Sequence, residues 1–162
     1  MNIISEFQKI RDIPYRIPLS TTELDNCCSG KSRMLKLILE NYWYSVKYKV
    51  CTFKRSNFNL PKDLLETPHL DLSSHVYLGV FIDNKWINID PTRDRKLKNI
   101  LHVEEWDWKT NTGIAVKTID FFDDEKSRKI MEDESIEDIE SDLEINWKFY
   151  EKFNYRLEIN RK

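Results

Sequence analysis

His75-Val76-Tyr77-Leu78-Gly79-Val80-Phe81-Ile82-Asp83-Asn84-Lys85-Trp86-Ile87-Asn88-Ile89-Asp90 is the stretch whose reading decides the fold. Apolar residues alternate at 76, 78, 80 and 82, and again at 87 and 89. A period of two marks half-buried strands. Asp83-Asn84 between them is a turn signal. A two-residue loop there pairs Ile82 with Lys85, Phe81 with Trp86, Gly79 with Asn88 and Tyr77 with Asp90. One face of the hairpin then carries Val76, Leu78, Val80, Ile82, Ile87 and Ile89, a core face. The other carries His75, Tyr77, Gly79, Phe81, Trp86, Asn88 and Asp90. His75 and Asp90 become diagonal neighbours on that second face, within reach of each other. A slip of one residue would send them to opposite faces.

Upstream of the hairpin, Cys28-Ser29-Gly30-Lys31-Ser32 leads into Met34, Leu35, Ile38, Leu39 and Tyr42 at helical spacing. The spacing predicts a helix over 28–42 with Cys28 in its first turn. Residues 20–27 are polar and turn-like, and Asp25 or Asn26 can cap that helix. Residues 3–18 mix apolar and charged positions, and Pro14 and Pro18 make 13–18 an extended lead-in. Residues 44–54 alternate as a strand, with Val46, Tyr48, Val50 and Thr52 on one face and Lys47, Lys49 and Cys51 on the other. Residues 55–73, with Pro61 and Pro68, read as loop.

Downstream, Gly113-Ile114-Ala115-Val116 reads as a further strand. Residues 120–145 hold twelve Asp and Glu against three Lys and Arg, and read as a solvated connection or as an acidic flap over basic residues of the same chain. Ile139, Leu143, Trp147, Tyr150 and Leu157 predict a C-terminal helix over 139–160, its aromatic stripe packed on the body. The elements together predict one α+β domain over 1–162. In it, a Cys-bearing helix packs on an antiparallel sheet.

The 162 residues suffice for a real hydrophobic core. No run approaches 18 apolar residues, which excludes a membrane-spanning helix. The first residues carry neither a basic nor an apolar leader segment, and three cysteines are few and odd in number. Both features fit a cytoplasmic, reducing setting. Net charge is −2, and the basic excess outside 120–145 is scattered with no nucleic-acid motif, so neither nucleic acid nor membrane is an expected partner. Gly30-Lys31-Ser32 imitates the end of a phosphate-binding loop, but its earlier glycine and preceding strand are missing. No cofactor is implied. Cys27, Cys28 and Cys51 with a histidine match no usual zinc spacing, so no metal is expected either.

A thiol at a helix start, an imidazole at a strand start and a carboxylate at a strand end are the parts of a nucleophilic triad. The helix dipole and an adjacent imidazolium lower a thiol's pKa, and free N–H groups of the first turn can bind an oxyanion. Cys28 is the candidate nucleophile, His75 the base and Asp90 the group that orients His75. The Asn26 side chain is a candidate oxyanion donor beside the Cys28 N–H. Tyr77 and Trp86, on the His75 face, are candidate supporting groups. The chemistry is acyl transfer or amide hydrolysis through an acyl-enzyme, on a peptide, protein or amide-containing small molecule.

CSGKSRMLKLIL at 28–39, with HVYLGVFIDNKWINIDPTRD at 75–94, resembles the core of the transglutaminase-like superfamily. Ile13-Pro14-Tyr15 is similar to the segment preceding the cysteine in small members, so the likeness spans 13–94. The resemblance implies a papain-like α+β fold and a Cys28–His75–Asp90 triad. Members include cross-linkers, peptidases and amidases. They also include forms without catalysis, so a protein- or peptide-binding module is the alternative expectation.

Overall fold

A computed structural model describes residues 2–162. In chain order the elements are α1 (Ile3–Arg11), α2 (Cys28–Asn41), β1 (Val46–Lys54), α3 (Lys62–Leu65), β2 (Leu72–Ile82), β3 (Lys85–Ile89), β4 (Thr118–Phe121), α4 (Asp124–Glu132) and α5 (Ile136–Asn160). The fold is α+β, with one four-stranded sheet in the order β3-β2-β1-β4 and every pairing antiparallel.

The hairpin has the register of a two-residue loop: Ile82 pairs with Lys85, Phe81 with Trp86, Gly79 with Asn88 and Leu78 with Ile89. Asp83 and Asn84 both have positive φ, 47° and 62°. Type I′ hairpin turns require this, and Asp and Asn tolerate it better than most residues. Val76, Leu78, Val80, Ile82, Ile87 and Ile89 are all buried. Leu35 and Leu39 of α2, Phe7 and Ile10 of α1 and Trp106 pack into one cluster with all of these but Val76, which packs with Val50 and Met131. Each such side chain taken from water contributes roughly 1.5–3 kcal/mol. This sheet face is what holds α2, and therefore Cys28, in place.

Several segments depart from the sequence reading. Residues 3–11 form a helix, capped by the Asn2 side chain at the Ile4 N–H. Its apolar face rests on Phe7 and Ile10, with Ile3 partly buried beside them, too few positions to stand out among charged neighbours. Residues 55–73 are not all loop, since α3 lies within them. Residues 113–116 are irregular, and the edge strand is β4, a few residues later. The apolar run is used as a cover instead: Ala115 is buried and its N–H donates to Asp90. The acidic stretch is solvated, with only Ser127 and Met131 of its residues buried, but it is largely helical. Its first half is α4, capped by Asp123, and its second half opens α5 with a Ser135–Asp138 capping box. It does meet basic residues, as Asp124 accepts from Lys47 and Lys49 at 2.7 and 2.8 Å.

Helix α5 runs 25 residues and turns Asn146, Phe149, Tyr150, Asn154 and Leu157 inward. Trp147, assigned from sequence to the packed stripe, is instead 44% exposed. Two buried asparagines, absent from that stripe, do the docking. Asn154 receives the Ile17 N–H at 3.0 Å and donates to the Ile17 carbonyl at 2.8 Å, as a strand partner would. Asn146 Oδ1 receives the Leu70 N–H at 2.9 Å and Arg55 at 3.2 Å. Asn154 thereby ties the extended lead-in to α5, and Asn146 ties the loop before β2 to it.

Candidate active site

Cys28 is the first residue of α2, and the cap is Cys27, whose side chain makes no capping bond. Asp25 and Asn26 do not cap the helix; Asp25 Oδ1 accepts from the Cys27 N–H one step earlier, at 2.9 Å. The first-turn N–H groups of α2 are therefore not consumed by a side-chain cap, which keeps them free for an anion. Gly30 explains how the loop before the helix lies so close. A Cβ at that position would sit 1.8 Å from the Asp25 carbonyl oxygen, which no side chain could accommodate. Lys31, one position on, is fully buried. Its Nζ donates to the carbonyls of Arg11 at 2.8 Å and Thr92 at 2.9 Å. The head of α2 is thus tied both to the end of α1 and to the loop just past Asp90.

His75 sits in β2 opposite Cys51 of β1. It is 3% exposed, and its Nε2 is 2.7 Å from Asp90 Oδ2. That leaves Nδ1 as the ring nitrogen for Cys28, whose thiol is near enough for each group to shift the other's pKa. Asp90, 1% exposed, is held on all sides. Its Oδ2 also accepts the Ala115 N–H at 2.7 Å, and its Oδ1 accepts the Thr92 N–H at 3.0 Å. Its own N–H donates to Thr112 Oγ1 at 2.9 Å. A carboxylate fixed by this many donors can orient an imidazole without moving.

The electrostatics are those of an ion pair. The Cys28 thiol is pulled well below its ordinary pKa. The hydrogen bond from Cys27 is the largest cause, burial opposes it, and the His75 imidazole and the Val76 N–H add to it. Cys27 is pushed well up by the same bond and by burial. For His75, burial works downward, but Asp90 and Cys28 outweigh it and raise the imidazole to about 10. Burial pushes the Asp90 carboxyl up, and the His75 charge overcomes this and lowers it. At neutral pH the arrangement favours thiolate and imidazolium.

Of the other residues named from sequence, Tyr77 is buried and lies parallel to His75, ring centroids 6.5 Å apart. It lies behind the imidazole and does not line the cleft that borders Cys28. Trp86 stands at the opposite end of the hairpin, 45% exposed, with the Lys47 ammonium 3.9 Å from its ring centroid. It is not part of the site, because sharing a sheet face does not bring distant rungs together. Asn26 bridges to Arg16 through its backbone, and its Oδ1 is buried without a hydrogen-bond partner. It does not line the cleft that borders Cys28.

That cleft has a volume of about 430 Å³, and Cys28, His75, Phe53, Phe58, Arg93 and Tyr150 are among its walls. Phe53 meets the His75 ring edge-on at 6.4 Å and Phe58 at 5.5 Å. Arg55 donates to Tyr150 Oη at 2.7 Å, and Tyr150 donates to Asp142 at 2.8 Å. None of Cys27, Phe53, Phe58, Arg55, Arg93 and Tyr150 was singled out for the site from sequence. Their only common signal is spatial, since they come from four separate stretches of the chain. Among the described residues, no group of three or more His, Cys, Asp or Glu side chains is placed to hold a metal ion. No helix among them is long and apolar enough to cross a membrane. Comparison with protein-family models, curated proteins and solved structures returned no match.

Proposed function

We propose that this chain is a thiol-dependent acyl-transfer enzyme with a transglutaminase-like, papain-like arrangement, acting on an amide or ester carbonyl. The observation that carries the proposal is one buried cluster on a cleft wall. In it, Asp90 holds His75 at 2.7 Å, and His75 lines the same cleft as a thiol at the head of a helix. The α+β fold, with the Cys28 helix packed on an antiparallel sheet, supports the same reading.

The mechanism follows from the geometry. The Cys28 thiolate attacks the carbonyl carbon, and the carbonyl oxygen becomes an oxyanion. The N–H groups of the first turn of α2, that of Cys28 foremost, stabilise it at the positive end of the helix. His75 gives its proton to the departing amine or alcohol, the old bond breaks, and a thioester to Cys28 remains. A water or an amine then attacks the thioester with His75 as base, releasing the product and restoring the thiol proton to the pair. Asp90 keeps Nε2–H fixed and supports the charge on the ring throughout.

The test is limited labelling with iodoacetamide at neutral pH, followed by intact mass and mapping of the modified cysteine. Cys28 should label well before Cys27 and Cys51. Equal rates for all three, or Cys27 first, would overturn the nucleophile. The fold would then be better read as a peptide-binding module without catalysis.

A further inference from the structure

Two polar groups on the wall just past Asp90 have hydrogen-bonding capacity left over. Thr92 is 4% exposed, and its Oγ1 is buried with no hydrogen-bond partner. Arg93 lines the cleft beside it. Among the described residues, its guanidinium makes one hydrogen bond, from Nη1 to the His102 carbonyl at 3.3 Å, and no ion pair. A guanidinium has five donors in a planar fork. Burial draws this one below its ordinary pKa, with the Asp90 charge opposing. Yet the Asp90 oxygens are already taken by His75, Thr92 and Ala115.

The other arginines of the cleft are spent. Arg55 donates to Leu70, Asn146, Ser73 and Tyr150. Arg33 pairs with Asp25 and Glu134. Of the three cleft arginines, Arg93 alone keeps most of its donors unused and has no ion pair. Its position is defined by rings. The guanidinium lies over Phe58 at 5.3 Å, Phe58 meets Phe53, and Phe53 meets His75. A single wall of aromatic rings therefore joins the unpaired cation to the base of the triad.

We infer that Arg93, with the Thr92 hydroxyl beside it, holds a carboxylate of the substrate, so that the enzyme selects amides or esters bearing a free acid group near the scissile carbonyl. The inference rests on the thiol-enzyme reading of Cys28. The planar fork matches a carboxylate in two parallel hydrogen bonds, and a partly buried cation gains more from such a pair than one in open water. A cleft of about 430 Å³ suits a small molecule. The acid group takes no part in the bond changes. Sγ to acyl carbon is the bond formed, and acyl carbon to the leaving nitrogen or oxygen is the bond broken.

Two alkylating agents of similar shape test this, anionic iodoacetate and neutral iodoacetamide. Their rates at Cys28 are taken as a ratio and compared with the ratio for a free thiol. The His75 imidazolium also attracts an anion, so the readout is the change made by Arg93→Gln. The ratio should fall about tenfold in that variant, the size expected for losing a charge-assisted hydrogen bond. Arg93→Lys should retain an intermediate ratio. A ratio unmoved by Arg93→Gln overturns the inference and leaves the thiol enzyme standing. If parent Cys28 reacts with iodoacetamide at pH 6 no faster than a free thiol, both fall. Should Arg93→Gln not fold, the parent protein decides: glutarate should slow iodoacetamide labelling at fixed ionic strength where glutaramide does not. Equal protection by both, or by neither, overturns the carboxylate anchor.

Discussion

The two ends of one hairpin face differ sharply. His75 and Tyr77 are 3% and 1% exposed, whereas Phe81 and Trp86, on the same face by alternation, are 39% and 45% exposed. Strand period assigns a side chain to a side of the sheet; it says nothing of what covers that side. At the His75 end, Phe53 lies against the ring and Ala115 reaches Asp90 from a distant loop. At the Trp86 end, the indole has Phe81 beside it and the Lys47 ammonium over it. Polar groups become chemically distinctive only where the second cover excludes water, because only there are their mutual charges weakly screened.

The contrast is open to direct attack. The largest effect should come from the face opposite both ends. Ile89→Ala, at a fully buried position next to Asp90, should cost about 2–5 kcal/mol in urea unfolding. Ile87→Ala should cost a similar amount, and Asn88→Ala, on the other face, less. A neutral Ile89→Ala beside an unfolded Asn88→Ala would invert the facing.

Next in size is the coupling at the covered end. At pH 6, His75→Ala should slow alkylation of Cys28 by about a hundredfold, toward the small thiolate fraction of a free thiol with pKa ~8.5. Asp90→Asn should slow it less, without loss of the circular dichroism of the parent. A parent rate that rises only near that free-thiol pKa, untouched by either change, would mean that no triad operates.

A smaller effect concerns pH. An unfolded chain keeps its proton on Cys28, and the folded protein keeps it on His75, so between about pH 6.5 and 9 the pair exchanges no net proton on folding. Below that window the unfolded chain binds more protons, and the pair's contribution fades as pH falls. Lys31 acts within the window, because burial lowers it from 10.5 to about 7. The unfolded chain holds a proton there that the folded protein releases, so stability should rise with pH from about 7 toward 9. Urea midpoints across that range should show the rise in the parent and a flat line in Lys31→Met. The smallest effect should be Trp86→Ala, within about 1 kcal/mol and with Cys28 labelling unchanged. A large loss at either readout would erase the difference between the two ends.

Much of this arrangement is legible in the chain where local rules suffice. The turn residues Asp83-Asn84 and the strict alternation set the register, and the apolar spacing after Cys28 sets α2. Three residues named on chemical grounds, Cys28, His75 and Asp90, lie together. Legibility stops where position depends on a distant partner. Helix α4 has few apolar anchors, chiefly Ile130 and Met131, and owes its start to the Asp123 cap. Residues 113–116 have strand composition, but the Ala115 amide serves the Asp90 carboxylate and the Gly113 amide serves Glu104. Trp147 has an aromatic's claim to the core, yet Asn146 takes the inward place because it satisfies Leu70 and Arg55.

Asp94 has one further consequence, for the order in which the protein can form. Its buried carboxylate accepts the Tyr15 N–H and the Arg161 guanidinium, and Arg161 also donates to the Tyr15 carbonyl at 2.5 Å. Those two residues lie 146 positions apart. The lead-in beside Cys28 therefore acquires its final backing only after a very long loop has closed, an event whose entropic cost falls late and slowly in folding. The reactive thiol should consequently emerge as the last step of maturation, with the helix that bears it formed well beforehand. Stopped-flow refolding would register this as secondary structure returning ahead of rapid Cys28 labelling.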